Sequence, residues 1–486
     1  MHPPHTRRLA PRTMPQREAS HAHILTQRID IDDPTSSIAP PIYPSTTYAH
    51  DNAHALPTVG PDGATLCYAR PDNPTLRLPE RMLAELEGGE DAALFASGMA
   101  AVTCVLNAVV RKGEIVFCPR RGYFAVRARI AEWCKAHGAE VMYYDPEECI
   151  EFPEEDVTTR AEGGRDRDVP VEKAPPLELP LSLFHRMAEM GQTMVPVALV
   201  WVESPANPTW DAMNITAVSI LAKGFGARCV CVDSTVMTPI CSKPLSLGAD
   251  IVMHSATKYL NGHGDVLAGA LVTKRKDGVW AKILHERKLG GAVLGSFDAY
   301  LLTRGMRTLE LRVRHQSESA LWLAKELSKA IVEKKVKLPS SNGAIVLYPG
   351  LEPTPEFPRP DYMFHKTNCP YGYYGGMLSV VFLVDRRQGQ AKVKKPKLAK
   401  ECAHFAANCR NWTCATSLGG FESLIEHRYS VEFSGPEYRN TPDDKQERRL
   451  VPHVPVGLLR LSVGLEKKED LLRGFLQSLA EFKLPE

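Results

Sequence analysis

HSATKYLNGHGD, residues 254–265, is the stretch on which the fold turns. It lies downstream of a short apolar segment that ends in an acid, CVCVDSTV at 229–236. Lys258 is flanked by the hydroxyl residues Ser255 and Thr257 and followed by Gly262 and Gly264. A lysine amine can condense with a carbonyl, and neighbouring hydroxyls can hold an anion beside it. Asp233 offers a carboxylate of the kind that pairs with a pyridinium nitrogen. Together these residues point to pyridoxal phosphate. Each also has a plainer explanation. Most of the 59 Lys and Arg residues of such a chain are solvated, and an acid at the end of an apolar run is commonly a cap or turn residue.

Outward from this stretch the chain alternates. Short apolar runs IVFC (115–118), EVMYY (140–144), VALVWV (197–202), CVCV (229–232), DIVM (250–253) and GALVT (269–273) read as strands. Between them lie helical patterns. TLRLPERMLAELEGG (75–89) places Leu76, Met82, Leu83 and Leu86 near helical spacing, and Gly88-Gly89 stops it. SGMAAVTCVLNAVV (97–110), YFAVRARIAEWCKAHG (123–138) and a segment near 214–223 continue the pattern. Apolar strands separated by helices predict an α/β domain, a mostly parallel sheet covered on both faces. Ligands of such sheets bind beyond the carboxyl ends of the strands. Glu203, Asp233 and Lys258 all follow strands and can reach one crevice.

From about residue 316 the texture shifts to a smaller α+β domain, 316–486. QSESALWLAKELSKAIVEKK (316–335) carries Ala320, Leu323, Leu327 and Ile331 on one helical face. AIVLYPG (344–350) and GGMLSVVFLV (375–384) read as strands. The main domain spans 75–315. Two stretches, 147–193 and 385–402, read as insertions on the surface. Residues 1–35 read as a disordered tail. Arg7, Arg8, Arg12 and Arg17 suit a transit peptide, but Pro3, Pro4, Pro11 and Pro15 break its helix. Residues 36–74 form an extended arm with little alternation.

The 486 residues, 44% hydrophobic, suffice for two cores, and the net charge of +2 implies no nucleic-acid or membrane-surface field. No apolar run is long enough to span a bilayer. The 12 cysteines form no CxxC pair, and Cys104, Cys229 and Cys231 sit in apolar runs. That usage predicts a reducing, cytoplasmic location with neither a metal site nor a disulfide framework.

Further motifs add candidates. FASGMAA (95–101) places Ser97, Gly98 and Met99 at a helix start, where unpaired backbone amides make an anion site; a simple N-cap would look the same. ESPANPT (203–209) offers Asn207 as a donor to a phenolate oxygen or as a turn stabiliser. YARPDNPT (68–75) offers Tyr68 and Arg70. The arginine suits a bidentate phosphate contact or a surface position equally.

YARPDNPT, FASGMAA, ESPANPT, SATKYLNGHGD, RGMRTLELR (304–312), SLGGFESL (417–424) and LRLSVGLE (459–466) occur in this order. Segment by segment they resemble the motifs of the Cys/Met-metabolism pyridoxal-phosphate enzymes, over residues 36–480 apart from the insertions. The resemblance implies the type I fold of pyridoxal-phosphate enzymes, with a seven-stranded main sheet, assembled as a dimer of dimers acting on small amino-acid substrates. It implies Lys258 as the Schiff-base lysine and Asp233 as the partner of the ring nitrogen. Gly98, Met99, Ser255 and Thr257 form the implied phosphate cradle, and Tyr68 and Arg70 reach the phosphate of a neighbouring subunit. Tyr123 stacks on the ring, and Asn207 lies near the ring oxygen and the substrate carboxylate. Arg460 grips that carboxylate, with Ser417 beside it. The implied reaction is replacement at the γ-carbon of an activated homoserine, O-acetyl- or O-succinyl-homoserine, by cysteine to give cystathionine. Cystathionine lyases and O-acetylhomoserine sulfhydrylase share most of these motifs, and an inactive cofactor-binding scaffold is the remote alternative. Four departures stand out. Tyr123-Phe124-Ala125-Val126 replaces the common Tyr-Gly-Gly-Thr. Thr416 replaces a glutamate that many lyases and synthases carry. IEHRYSVEFSGPE (425–437) replaces a segment with a Thr-His pair, and Gly264 replaces a serine.

Overall fold

The computed structural model describes residues 21–26, 37–49, 66–145, 149–152, 177–180, 183–185, 187–188, 195–353, 361–384, 391–432 and 454–483. In chain order the strands are β1 Asp91–Phe95, β2 Ile115–Pro119, β3 Glu140–Tyr144, β4 Cys149–Phe152, β5 Leu177–Pro180, β6 Val197–Glu203, β7 Cys229–Asp233, β8 Ile251–His254, β9 Gly269–Thr273, β10 Ser341–Leu347, β11 Met377–Val384, β12 Thr413–Cys414, β13 Leu424–His427 and β14 Leu458–Ser462.

The main sheet has seven strands in the order β1-β9-β8-β7-β6-β2-β3. From β8 to β3 all pairs are parallel; β9 is antiparallel to both of its neighbours. Every residue of β2, β6, β7, β8 and β9 is buried. That is why these strands read as continuous apolar runs rather than as alternations: helices cover both faces. Val200, Val202, Val232 and Val252 point into one core, and Trp201, Cys231 and Met253 into the other. Asn73 caps the helix Pro74–Glu87 by accepting the amide of Thr75, and Gly88 closes it at φ 70°.

The second sheet, β10-β11-β14-β13-β12, is antiparallel except for β12 with β13. The helices Leu309–Val332, Ala391–Asn408 and Lys468–Ala480 bury Leu323, Leu327, Leu398, Phe405, Leu471 and Phe475 in its core. The helix Leu309–Val332 begins before the residue 316 boundary read from sequence. It packs against the short helix Thr238–Cys241 of the first unit and against β10 and β11 of the second.

Three stretches differ from the sequence reading. Within the expected tail 1–35, His21–Thr26 is a helix with Ile24 and Leu25 buried in the first core; the rest of that tail lies outside the described residues. Within 147–193, β4 and β5 pair antiparallel, and most of the remainder lies outside the described residues. Residues 391–402, read as part of a surface insertion, are the first two-thirds of the helix Ala391–Asn408. The abundance of lysine in KVKKPKLAK hid Leu398 and Cys402, which are fully buried. No helix among the described residues is long and apolar enough to cross a membrane.

Candidate active site

Strand register builds the site. Glu203 and Asp233 are the last residues of β6 and β7 and are direct partners in the ladder, so two carboxylates emerge side by side at the carboxyl edge. Lys258 follows β8 in a tight turn, its amide bonded to the carbonyl of Ser255. The loop at 416–418 and β14 bring residues of the second sheet over this edge. Between them lies a cavity of about 410 Å³, lined by Lys258, Asp233, Tyr123, Asn207, Ser417 and Arg460 among others.

Lys258 Nζ donates to Ser417 Oγ at 2.8 Å. Burial, then the positive charges of Arg460 and Arg428, push its amine down to about 8, against an opposing pull from Glu426. Ser417 itself sits at φ 89°, a left-handed conformation uncommon for a residue with a side chain.

Asp233 accepts the amide of Thr235 at 3.0 Å. Burial raises its pKa, opposed by the Thr235 hydrogen bonds and by the nearby His254. Glu203 is pushed up to about 8, first by burial and then by Asp233. Its Oε2 accepts the amide of Tyr123 at 2.7 Å and its Oε1 that of Asn207 at 2.8 Å. A Cβ at Gly122 would lie 2.6 Å from Glu203 Oε2, so only glycine lets the 120–123 loop come this close.

At one end of the cavity the helix Gly98–Val109 begins. Ser97 Oγ accepts the amide of Ala100, so Ser97 is an N-cap and a cavity residue at once. The amides of Gly98 and Met99 precede the first intrahelical acceptors and face an anion position. Gly269 of β9 passes directly behind: a Cβ there would meet the Ser97 carbonyl oxygen at 2.1 Å. Ser255 and Thr257 line the same end. The Thr257 hydroxyl also bonds both backbone groups of Ala268, at 3.1 and 2.9 Å, which holds β9 against the lysine turn.

The other end is cationic. Arg460, on β14, is fully buried; its Nη1 donates to Asn207 Oδ1 at 3.3 Å and its Nη2 to the Ser417 carbonyl at 2.8 Å and to Glu426 Oε2 at 2.6 Å. Burial lowers its pKa to about 10. Asn207 thus bonds Arg460 through its side chain and Glu203 through its backbone. Tyr123 starts the helix Phe124–His137, its ring edge-on to Phe124 at 5.1 Å.

The structure gathers Lys258, Asp233, Tyr123, Gly98, Met99, Ser255, Thr257, Asn207, Ser417 and Arg460 around one cavity. Tyr68 and Arg70 do not line it. They lie on the arm, Tyr68 half exposed, with the Arg70 guanidinium 5.7 Å from its ring. Four residues at or beside the cavity carry no role in the sequence reading: Glu203 as a clamp, Thr235, Glu426 and Arg428. The signal for the last two was LIEHRYSVE, where charges sit inside an apolar run and can be buried only as pairs. No group of three His, Cys, Asp or Glu residues among the described residues could hold a metal ion.

The model of the Cys/Met metabolism PLP-dependent enzymes matches residues 22–159 and 185–480. A cystathionine gamma-synthase of Mycobacterium tuberculosis is 34% identical over 448 residues, 92% of this chain and 93% of that protein. An L-methionine gamma-lyase of Treponema denticola is 31% identical over 451 residues, 91% and 92% of the two chains. Among solved structures, a cystathionine gamma synthase from Xanthomonas oryzae, in complex with aminoacrylate and cysteine, superposes with a TM-score of 0.69 at 28% identity, covering 96% of this chain and 98% of the other. The residues present fit pyridoxal phosphate. Helix amides stand at one end, a buried acid and a lysine of lowered pKa in the middle, and an arginine for a carboxylate at the far end. A cavity of this size falls in the range for small-molecule sites.

Proposed function

The chain belongs to the pyridoxal-phosphate-dependent enzymes of Cys/Met metabolism and has their type I fold, and from that premise we propose that it replaces the γ-substituent of an activated homoserine with cysteine to give cystathionine. When bound, the cofactor supplies an electron sink for the charge left on the amino acid's α-carbon. In this proposal Gly98, Met99, Ser255 and Thr257 hold its phosphate. Asp233 keeps its ring nitrogen protonated, Tyr123 stacks on the ring and Asn207 lies beside its oxygen. Arg460 would fix the substrate's α-carboxylate and so orient the amino acid in the cavity. Lys258 would hold the cofactor and supply an amine able to carry a proton between the substrate's α- and β-carbons. Its lowered pKa suits that work, because far more of the amine is unprotonated near neutrality than at its ordinary value of 10.5. Ser417 holds it 2.8 Å away on the Arg460 side.

One observation carries the preference for replacement over lysis. Phe124 and Val126 line the cavity where the common motif has glycine and threonine, and Leu418 and Val431 extend the same apolar wall. Such a wall slows hydrolysis and favours capture by a thiol. Thr416 supports a second reading. It lines the cavity where many lyases and synthases carry a glutamate, and it offers no charge to the amine of cysteine. A smaller nucleophile such as sulfide, or no nucleophile at all, then suffices. Product analysis decides between them. O-acetyl- or O-succinyl-homoserine with cysteine should give mainly cystathionine, with oxobutanoate and ammonia minor. Faster breakdown than synthesis of cystathionine replaces this reading with the lyase, and strong preference for sulfide replaces it with the sulfhydrylase.

The exposed Tyr68 and Arg70 support an arm that closes a neighbouring subunit's phosphate site. Mixing Arg70→Ala with Lys258→Ala subunits should then restore activity, because one of the two mixed sites is intact. Verified mixed dimers without activity would refute that arrangement.

A further inference from the structure

One segment that departs from the family pattern, IEHRYSVEFSGPE (425–437), contributes Arg428 and Val431 to the cavity wall. Arg428 and Arg460 are both buried, and both bond the same oxygen: Arg460 Nη2 reaches Glu426 Oε2 at 2.6 Å and Arg428 Nη1 reaches it at 3.0 Å. Arg428 Nη2 is held by Glu432 Oε1 at 2.7 Å, and its guanidinium lies 5.8 Å from the ring of Phe124, a second departure. Arg428 Nε and Glu426 Oε1 have no hydrogen-bond partner among the described residues. Two guanidiniums therefore share one carboxylate oxygen.

This sharing matters for the substrate. If Arg460 takes the α-carboxylate, as the proposed function requires, Glu426 is an internal competitor at the same guanidinium. A carboxylate bound between two arginines interacts less exclusively with either. We infer that Arg428 is a positioning residue: it draws the charge of Glu426 away from Arg460 and so sets the affinity for the substrate's α-carboxylate. Glu432 and the ring of Phe124 fix Arg428 for that role. The inference rests on the assignment of Arg460.

The test uses cofactor-loaded enzyme and an unreactive amino acid, L-norleucine, beside its neutral counterpart, L-norleucinamide. Binding is read from the change in visible absorption of the cofactor. Arg428→Gln should weaken norleucine about tenfold and norleucinamide less than about twofold, since only the former presents a carboxylate. Adding Glu426→Gln to that variant should restore norleucine to within about threefold of the parent, because the competitor has gone too. In turnover, KM should follow the same pattern with kcat changed little. Should Arg428→Gln fail to fold, Glu426→Gln alone carries the test and should bind norleucine more tightly than the parent. Equal weakening of acid and amide, a double variant weaker than Arg428→Gln, or weaker norleucine binding by Glu426→Gln overturns the inference. If the parent does not discriminate acid from amide, the assignment of Arg460 fails. If it discriminates yet turns over no activated homoserine, only the proposed reaction fails.

Discussion

The two halves of the cavity handle buried charge in opposite ways. On the main-sheet side, Asp233 and Glu203 are neighbours with no salt bridge among the described residues, and their oxygens accept backbone amides. Their pKa values rise because burial outweighs those amide hydrogen bonds. On the second-sheet side, Glu426 sits between Arg428 and Arg460 and is compensated from within. The main-sheet half is thus left wanting a cation from outside, which a ring nitrogen can supply. The second half must give up an internal contact to accept an external anion. Substitutions on the first side should act on chemistry, and those on the second on binding.

The sharpest break of this contrast is Lys258→Ala. Activity should fall by more than about a thousandfold, since both the covalent anchor and the mobile base are removed. The parent protein should be yellow, with a visible band that borohydride removes, and the variant should lack both. A variant that keeps its band and turnover would refute the central assignment. Next comes Asp233→Asn. Cofactor should still bind, more loosely, while kcat falls about a hundredfold and KM changes little. An unchanged kcat would show that the main-sheet half is not the chemical half. Arg460→Lys should do the reverse, raising KM about tenfold or more with a smaller change in kcat, because an ammonium loses the fork that fits a carboxylate. The last effect is one of pH. With the Lys258 amine near 8 rather than its ordinary value of 10.5, the rate at which apoenzyme captures cofactor should climb with pH and level off above about 8. A rise continuing towards pH 10 would mean that burial and Arg460 do not lower that amine.

Sequence exposed the main-sheet half more fully than the second. Strands buried on both faces appear as unbroken apolar runs, so CVCV and GALVT are legible, and motif residues at the strand ends come with them. β1 was not, because DAALF is too short to separate from the helix before it. Glu203 was seen at a strand end, but its bonds to Tyr123 and Asn207 depend on a loop folding back from residue 122. On the second side, Arg460 and Ser417 came from motifs alone. The pairing of Arg428 with Glu426 joins a strand to the helix Arg428–Glu432, and hydropathy cannot tell a buried ion pair from a charged surface turn. The helix at 391–402 is concealed in the same way, by the lysines around the buried Leu398 and Cys402.

Gly269 shows what this architecture does to a lineage under mutation. Any replacement would thrust its first side-chain atom into the peptide at Ser97. The nearest change, to alanine, is already excluded unless the phosphate-end loop is rebuilt at the same moment. Drift at that end is closed to single steps. The loop and helix around 416–432 face no such barrier at Thr416, which is exposed. New chemistry in descendants of this protein should therefore enter more readily at Thr416 than at the phosphate end beside Gly269.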